Sequence, residues 1–190
     1  MKPDTIVVVS GLPRSGTSMM MKMLDAGGLK LLVDNIRVGD EDNPLGYYEF
    51  EPVKQLQRDP SWLAEARGKG VKIVSALLKH LPPQYRYQVI FMQRNMTEVL
   101  ASQKQMLIRR GERTDEVPDE KLAEIFAQHL RQVDAWLSSQ PQVEVLYVRY
   151  DDALNAPLDV ARQVQSFLGR DLDVENMARV VDRTLHRQRA

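Results

Sequence analysis

The segment from Thr5 to Gly28, TIVVVSGLPRSGTSMMMKMLDAGG, constrains this chain more than any other. Thr5 to Ser10 is a β-branched run without polar alternation, the pattern of a parallel strand buried on both faces. Gly11 to Gly16 interrupts it. From Thr17 to Ala26 the apolar residues at 19, 20, 23 and 24 fall on one helical face, and Gly27-Gly28 supplies the stop. A strand, a glycine-bearing turn and a helix in direct succession present backbone N–H groups and the positive end of a helix dipole at one sheet edge. That combination holds anions.

The rest of the chain continues the alternation. Val71 to Ser75, Gln88 to Gln93 and Val143 to Arg149 read as strands. Glu51 to Arg58, Thr97 to Arg110, Glu120 to Ser139, Pro157 to Leu168 and Val174 to Leu185 read as helices, with Thr97 and Pro157 as start signals. The predicted fold is α/β in three layers, a central parallel β-sheet with right-handed crossovers and helices on both faces. Ligands of such sheets sit beyond the C-terminal strand ends, where Ser10 to Ser18, Ser75 and Gln93 to Asn95 would open. With no internal repeat, and with glycine and proline scattered instead of pooled into a linker, residues 1–190 are expected to form one domain.

Composition narrows the chemistry. Lys+Arg and Asp+Glu number 26 each, so no global field draws the chain to nucleic acid or to an anionic membrane, and any anion site is local. The absence of cysteine excludes disulfides, thiolate catalysis and cysteine-ligated metals, and three histidines make a histidine-rich metal site unexpected. The opening apolar run, Ile6 to Val9, is too short for a signal-peptide core or a membrane span. A cytoplasmic protein without a metal, nucleic-acid or membrane partner is expected; oligomeric state is left open.

Gly11-Leu12-Pro13-Arg14-Ser15-Gly16-Thr17-Ser18 has the G-x-x-x-x-G spacing of a phosphate-binding loop. Thr17 stands where nucleotide triphosphatases carry lysine. The cation is earlier, at Arg14, whose permanent charge and several donors suit a phosphate oxygen. A small-molecule kinase would need the missing lysine and a metal-holding acid at a strand end, and no strand-end aspartate with the usual apolar lead-in is evident.

Pro13-Arg14-Ser15-Gly16-Thr17-Ser18 resembles the 5′-phosphosulfate loop of the sulfotransferase superfamily. A second signature of that superfamily, an arginine ending a strand with a serine eight residues on, is matched by Arg94 and Ser102. Tyr150-Asp151-Asp152, followed by Pro157 and by Phe167-Leu168-Gly169, is similar to a third, with Asp151 where glutamate is usual. The resemblance implies a P-loop-like fold and transfer of a sulfuryl group from 3′-phosphoadenosine 5′-phosphosulfate to a hydroxyl or amine of a small molecule or glycan, with no metal. It places Arg14, Ser15, Gly16, Thr17 and Ser18 on the 5′ side of the donor, and Arg94 and Ser102 at its 3′-phosphate. Tyr150 would approach the adenine, or else cap the core at a strand end. Arg14 would also act on the leaving oxygen.

A hydroxyl acceptor requires a base. Asp42 to Glu51, DNPLGYYEFE, resembles the Asn-Pro-x-Gly-Tyr-x-Glu segment of many bacterial superfamily members and makes Glu49 the first candidate. His80 competes, because Lys79-His80-Leu81-Pro82 is superficially similar to a Lys-Thr-His-Leu-Pro motif of the cytosolic branch; its short distance to Arg94 instead predicts a half-buried helical residue. Lys72 could support the base from behind, but the preferred reading is an ordinary strand charge. Lys104, Arg109, Arg110 and Arg113 read as a solvated helix face. The alternatives to a sulfotransferase are a small-molecule kinase of the same fold and a catalytically inactive nucleotide-binding module.

Overall fold

A computed structural model describes residues 4–34, 36, 46–109, 111–114 and 117–182. Four parallel strands, β1 (Ile6–Gly11), β2 (Gly70–Lys72), β3 (Tyr87–Gln93) and β4 (Val143–Arg149), are hydrogen-bonded in the order β2-β1-β3-β4. Six α-helices are described: α1 (Thr17–Ala26), α2 (Met96–Arg109), α3 (Asp119–Ser139), α4 (Tyr150–Asn155), α5 (Pro157–Leu168) and α6 (Val174–Arg179). Short 3₁₀ helices cover Glu51–Gln55, Ser61–Ala64 and Ser75–His80. None of the described helices is long and apolar enough to cross a membrane.

The unbroken β-branched run of β1 is explained by apolar cover on both sides, and Ile6, Val7, Val8 and Val9 are all fully buried. Alternate side chains divide between two layers. Ile6, Val8, Val71, Val89 and Phe91 pack with Val133 and Leu137 of α3 and with Trp62, Leu63 and Leu78 of the 3₁₀ helices. Val7, Val9, Ile90 and Val148 pack with Met20, Met23 and Leu24 of α1, Val160 and Val164 of α5, and Met177 of α6. Methionine fills the irregular space between α1 and the twisted sheet, a role its unbranched side chain suits. The register sets Gly11 beside Met92 and Gln93 beside Arg149. The chain therefore leaves β1, β3 and β4 side by side at one edge.

Several predicted boundaries shift for local reasons. The strand expected over Val71 to Ser75 ends at Lys72, with a last bond from the Ile73 N–H to the Val9 carbonyl (3.0 Å). Ser75 then opens a 3₁₀ helix that ends at His80, which is partly buried there. Glu51 to Arg58 forms only a 3₁₀ helix over Glu51–Gln55, followed by a turn ahead of Pro60. The start of α2 is Met96, and the residue that caps it is Asn95: its Oδ1 accepts the Thr97 N–H at 2.9 Å. The last helix stops at Arg179, where the prediction ran to Leu185; residues 183–185 lie outside the described residues.

Candidate active site

The loop between β1 and α1 owes its shape to two glycines. Gly11 has φ +149°, and a Cβ there would come within 2.7 Å of the Met92 carbonyl oxygen on the neighbouring strand. Gly16 has φ +96°, and a Cβ there would lie 2.5 Å from the Tyr150 ring. Arg14 adopts φ +70° without being glycine, a strain of roughly 1–2 kcal/mol that the loop's other contacts must offset. Ser15 is buried and donates its hydroxyl to the Leu12 carbonyl at 2.7 Å, which locks the turn from within. Gly16 forms the N-cap of α1 without a side-chain cap, and no acid occupies the first turn. The helix that Thr17 and Ser18 open thus starts without a side-chain cap or an acid to complement its dipole, and helix ends of this kind favour anions.

Gly16→Ala should therefore destabilise the protein by about 1–3 kcal/mol through overpacking against Tyr150, measurable by chemical denaturation. A wild-type midpoint for that variant would mean the ring does not need the space.

The second loop, after β3, meets the first directly. Arg94 donates an N–H of Nη1 to the Arg14 carbonyl at 3.0 Å, and Arg14 donates Nε–H to Ser102 Oγ on α2 at 2.9 Å. Arg14 is 80 residues from Arg94 and 88 from Ser102 in sequence, and the three form one contact chain. The Arg94 guanidinium lies over the Tyr150 ring, 4.3 Å from its centre, in cation–π geometry. Its Nε–H is donated to Glu98 at 2.8 Å, one helical turn into α2, and both side chains are 7% exposed. Glu98 was not singled out in the sequence, although the i, i+4 spacing of Arg94 and Glu98 is a signal that was there to read.

Tyr150 follows β4 without a loop, opens α4, and is 6% exposed beneath Gly16. Burial pushes its hydroxyl above the ordinary tyrosine range, with Glu98 and Asp151 adding to the rise and Arg94 and Arg14 opposing it. Tyr150 thus underlies both loops, carrying Gly16 and the guanidinium of Arg94.

On the β2 side, Lys72 is not the ordinary strand charge of the preferred reading, and takes the supporting place of the other. Its side chain is 9% exposed, and Nζ donates to the Tyr47 carbonyl and lies 3.6 Å from Glu49 Oε1. Ser18 Oγ donates to the same Tyr47 carbonyl at 3.4 Å. Glu49, itself 27% exposed, is thereby tied through one peptide group to the first turn of α1. Tyr48 takes φ +51° and reaches back to Asp25 of α1 at 3.5 Å, while the Glu49 carbonyl accepts the Asp34 N–H at 3.1 Å. The Asp42 to Leu45 part of the motif lies outside the described residues, as does Arg110.

His80 stands apart from these residues in the chain, at the end of the 3₁₀ helix that follows β2. A different histidine, His129 of α3, meets Ser75 Oγ through Nε2 at 2.8 Å; burial, with Lys79 nearby, lowers its pKa below the usual imidazole value. Behind the first loop, on the sheet face opposite α1, a cavity of about 520 Å³ is bounded by Ser15 and Arg94 and by aliphatic and aromatic side chains including Phe91, Val133 and Leu137. Among the described residues no group of three or more His, Cys, Asp or Glu could hold a metal ion.

Solved structures match the chain in fold at low identity. A sulfotransferase from Mycobacterium tuberculosis H37Rv matches with TM-score 0.63 and 19% identity, over 93% of this chain and 71% of its own. A mouse sulfotransferase complexed with PAP matches with TM-score 0.55 and 16% identity, over 92% of this chain and 61% of its own. The sulfotransferase domain from the curacin biosynthetic pathway matches with TM-score 0.53 and 15% identity, over 96% of this chain and 80% of its own. These likenesses establish the fold. No curated protein matches the chain. The family model for the sulfotransferase domain matches residues 4–188, and the chain therefore belongs to the sulfotransferase family.

Proposed function

We propose that the chain transfers a sulfuryl group from 3′-phosphoadenosine 5′-phosphosulfate to a hydroxyl or amine, and that the phosphates of this donor bridge the two loops. The carrying observation is the Arg14–Ser102 hydrogen bond together with the bond from Arg94 to the Arg14 carbonyl. Two guanidinium-bearing residues and a hydroxyl meet at the edge where an uncapped helix N-terminus also ends. A donor with phosphates at both 5′ and 3′ positions suits two such cationic points, whereas a nucleoside triphosphate suits one loop and a metal. The mouse relative's complex with PAP points the same way.

In the transfer, the acceptor oxygen forms a bond to sulfur as the bond from sulfur to the 5′-phosphate oxygen breaks, and the electron pair leaves on that phosphate. Positioning and charge stabilisation carry such a reaction. Arg14 stabilises the leaving oxygen by electrostatics and hydrogen bonding, since guanidinium does not give up its proton. Glu49 takes the acceptor proton, and Lys72 beside it holds the carboxylate against Tyr47 and the start of α1. Tyr150 underlies both phosphate loops, supporting Arg94 of the one and Gly16 of the other. The acceptor is a small molecule or glycan whose hydroxyl reaches Glu49.

Calorimetric titration with 3′-phosphoadenosine 5′-phosphate and with adenosine 5′-phosphate tests the donor class. The bisphosphate should bind more tightly, without magnesium, and Arg94→Ala should remove about 1.5–3 kcal/mol of that advantage, the range for a hydrogen bond to a charged group. Equal affinity for the two nucleotides, or tighter binding of ATP with magnesium, would favour the kinase reading.

A further inference from the structure

Arg94 is the residue on which 3′-phosphate recognition rests in the reading above, and its guanidinium is fixed on three sides. The Arg14 carbonyl takes one Nη1 hydrogen, the Tyr150 ring lies against its plane, and Glu98 accepts from Nε. The first two contacts leave rotation in the guanidinium plane as the remaining freedom, and the Nε–carboxylate bond stops it. A carboxylate placed 6% exposed inside an anion site is an electrostatic cost, because it subtracts from the field that attracts phosphate. Such a group is retained where it orients a partner.

We infer that Glu98 is a positioning residue for 3′-phosphate recognition: it aims Arg94, and through Arg94 sets the preference for a 3′-phosphorylated donor. The inference rests on the proposed donor class. It assigns to α2 an orienting acid that touches no substrate, one turn beyond the arginine that does.

The opposite electrostatic role makes a contrary prediction. If Glu98 only opposed the phosphate charge, its removal would tighten bisphosphate binding. If it orients Arg94, removal loosens bisphosphate binding and leaves adenosine 5′-phosphate affinity unchanged. Glu98→Gln retains an oxygen that accepts from Nε and should keep most of the selectivity. Glu98→Ala should lower the ratio of the two affinities by about tenfold, the lower end of what loss of an orienting partner costs at metal sites, where such partners likewise aim a binding side chain.

Because Glu98→Ala takes the carboxylate partner from a buried guanidinium, the same change is made in an Arg94→Ala background, where no guanidinium remains to be misdirected. There it should lower the ratio by less than about twofold. The experiment is calorimetric titration of wild type and the four variants Glu98→Gln, Glu98→Ala, Arg94→Ala and Arg94→Ala with Glu98→Ala, using both nucleotides. Loss in Glu98→Ala, retention in Glu98→Gln and no further loss in the double variant support the positioning role. Unchanged or increased selectivity in a folded Glu98→Ala protein overturns it while wild-type selectivity stands. Should Glu98→Ala fail to fold, a Glu98→Gln protein with the selectivity of Arg94→Ala overturns it as well. Absence of any selectivity in wild type overturns the donor class and this inference together.

Discussion

Glu49→Gln is expected to lower sulfuryl transfer to a hydroxyl acceptor by about 100-fold to 10,000-fold, the contribution of a positioned general base. The amide keeps the size of the side chain and cannot take a proton. Lys72 retains its bond to the Tyr47 carbonyl in this variant, so the link from β2 to the first turn of α1 survives. Affinity for 3′-phosphoadenosine 5′-phosphate should accordingly change less than about threefold, and it serves as the internal check on folding. His80→Asn provides the contrast. His80 ends a 3₁₀ helix that starts beyond β2, whereas Glu49 lies beside Lys72 and, through it, the start of α1. Its replacement should leave transfer near the wild-type rate. Loss of transfer in His80→Asn with an active Glu49→Gln protein would transfer the base assignment to His80.

Arg14→Ala is expected to lower turnover by roughly 100-fold or more, and to lower it more than it lowers donor affinity, as for other groups that stabilise charge developing on an oxygen. The split follows from where the residue stands. Its backbone is already strained into the left-handed region, and its carbonyl remains available to Arg94 whatever the side chain is. Truncation therefore removes the guanidinium and its bond to Ser102 while leaving the Arg94 contact in place. Arg14→Lys should restore part of the rate, because an ammonium supplies charge without the planar fork that spans to Ser102. Single-turnover and steady-state kinetics on the same preparations separate the two effects. An alanine variant with wild-type turnover would make Arg14 a surface residue of the turn.

What could be read from the sequence was what local pattern determines. The β1, loop and α1 succession is visible because the strand's double-sided burial, the glycines and the helical face all lie within two dozen residues. The Arg94 and Ser102 pair is visible because the spacing is that of a strand tip and the following helix. The less favoured of the two readings of Lys72 fits the structure for a tertiary reason: a lysine in a short edge strand looks solvated until the Tyr47 segment folds over it. Tyr150 presents a similar case. That its ring lies under Gly16 depends on β4 passing without a loop into α4 and on the missing Cβ of a glycine at the other end of the chain. The 3₁₀ helices at Ser61–Ala64 and Ser75–His80 are too short to show a period, and tertiary burial of Trp62, Leu63 and Leu78 places them.

The claim on which the rest depends is that one sheet edge holds two phosphate groups, each against its own loop. Phosphorus NMR of 3′-phosphoadenosine 5′-phosphate reads the two groups separately during a titration. In wild type both resonances should shift together and saturate at the same protein concentration; Arg94→Ala should diminish the 3′ shift selectively, and Arg14→Ala the 5′ shift. Movement of the 5′ resonance alone in wild type, with the 3′ resonance unperturbed at saturation, would contradict a two-phosphate site.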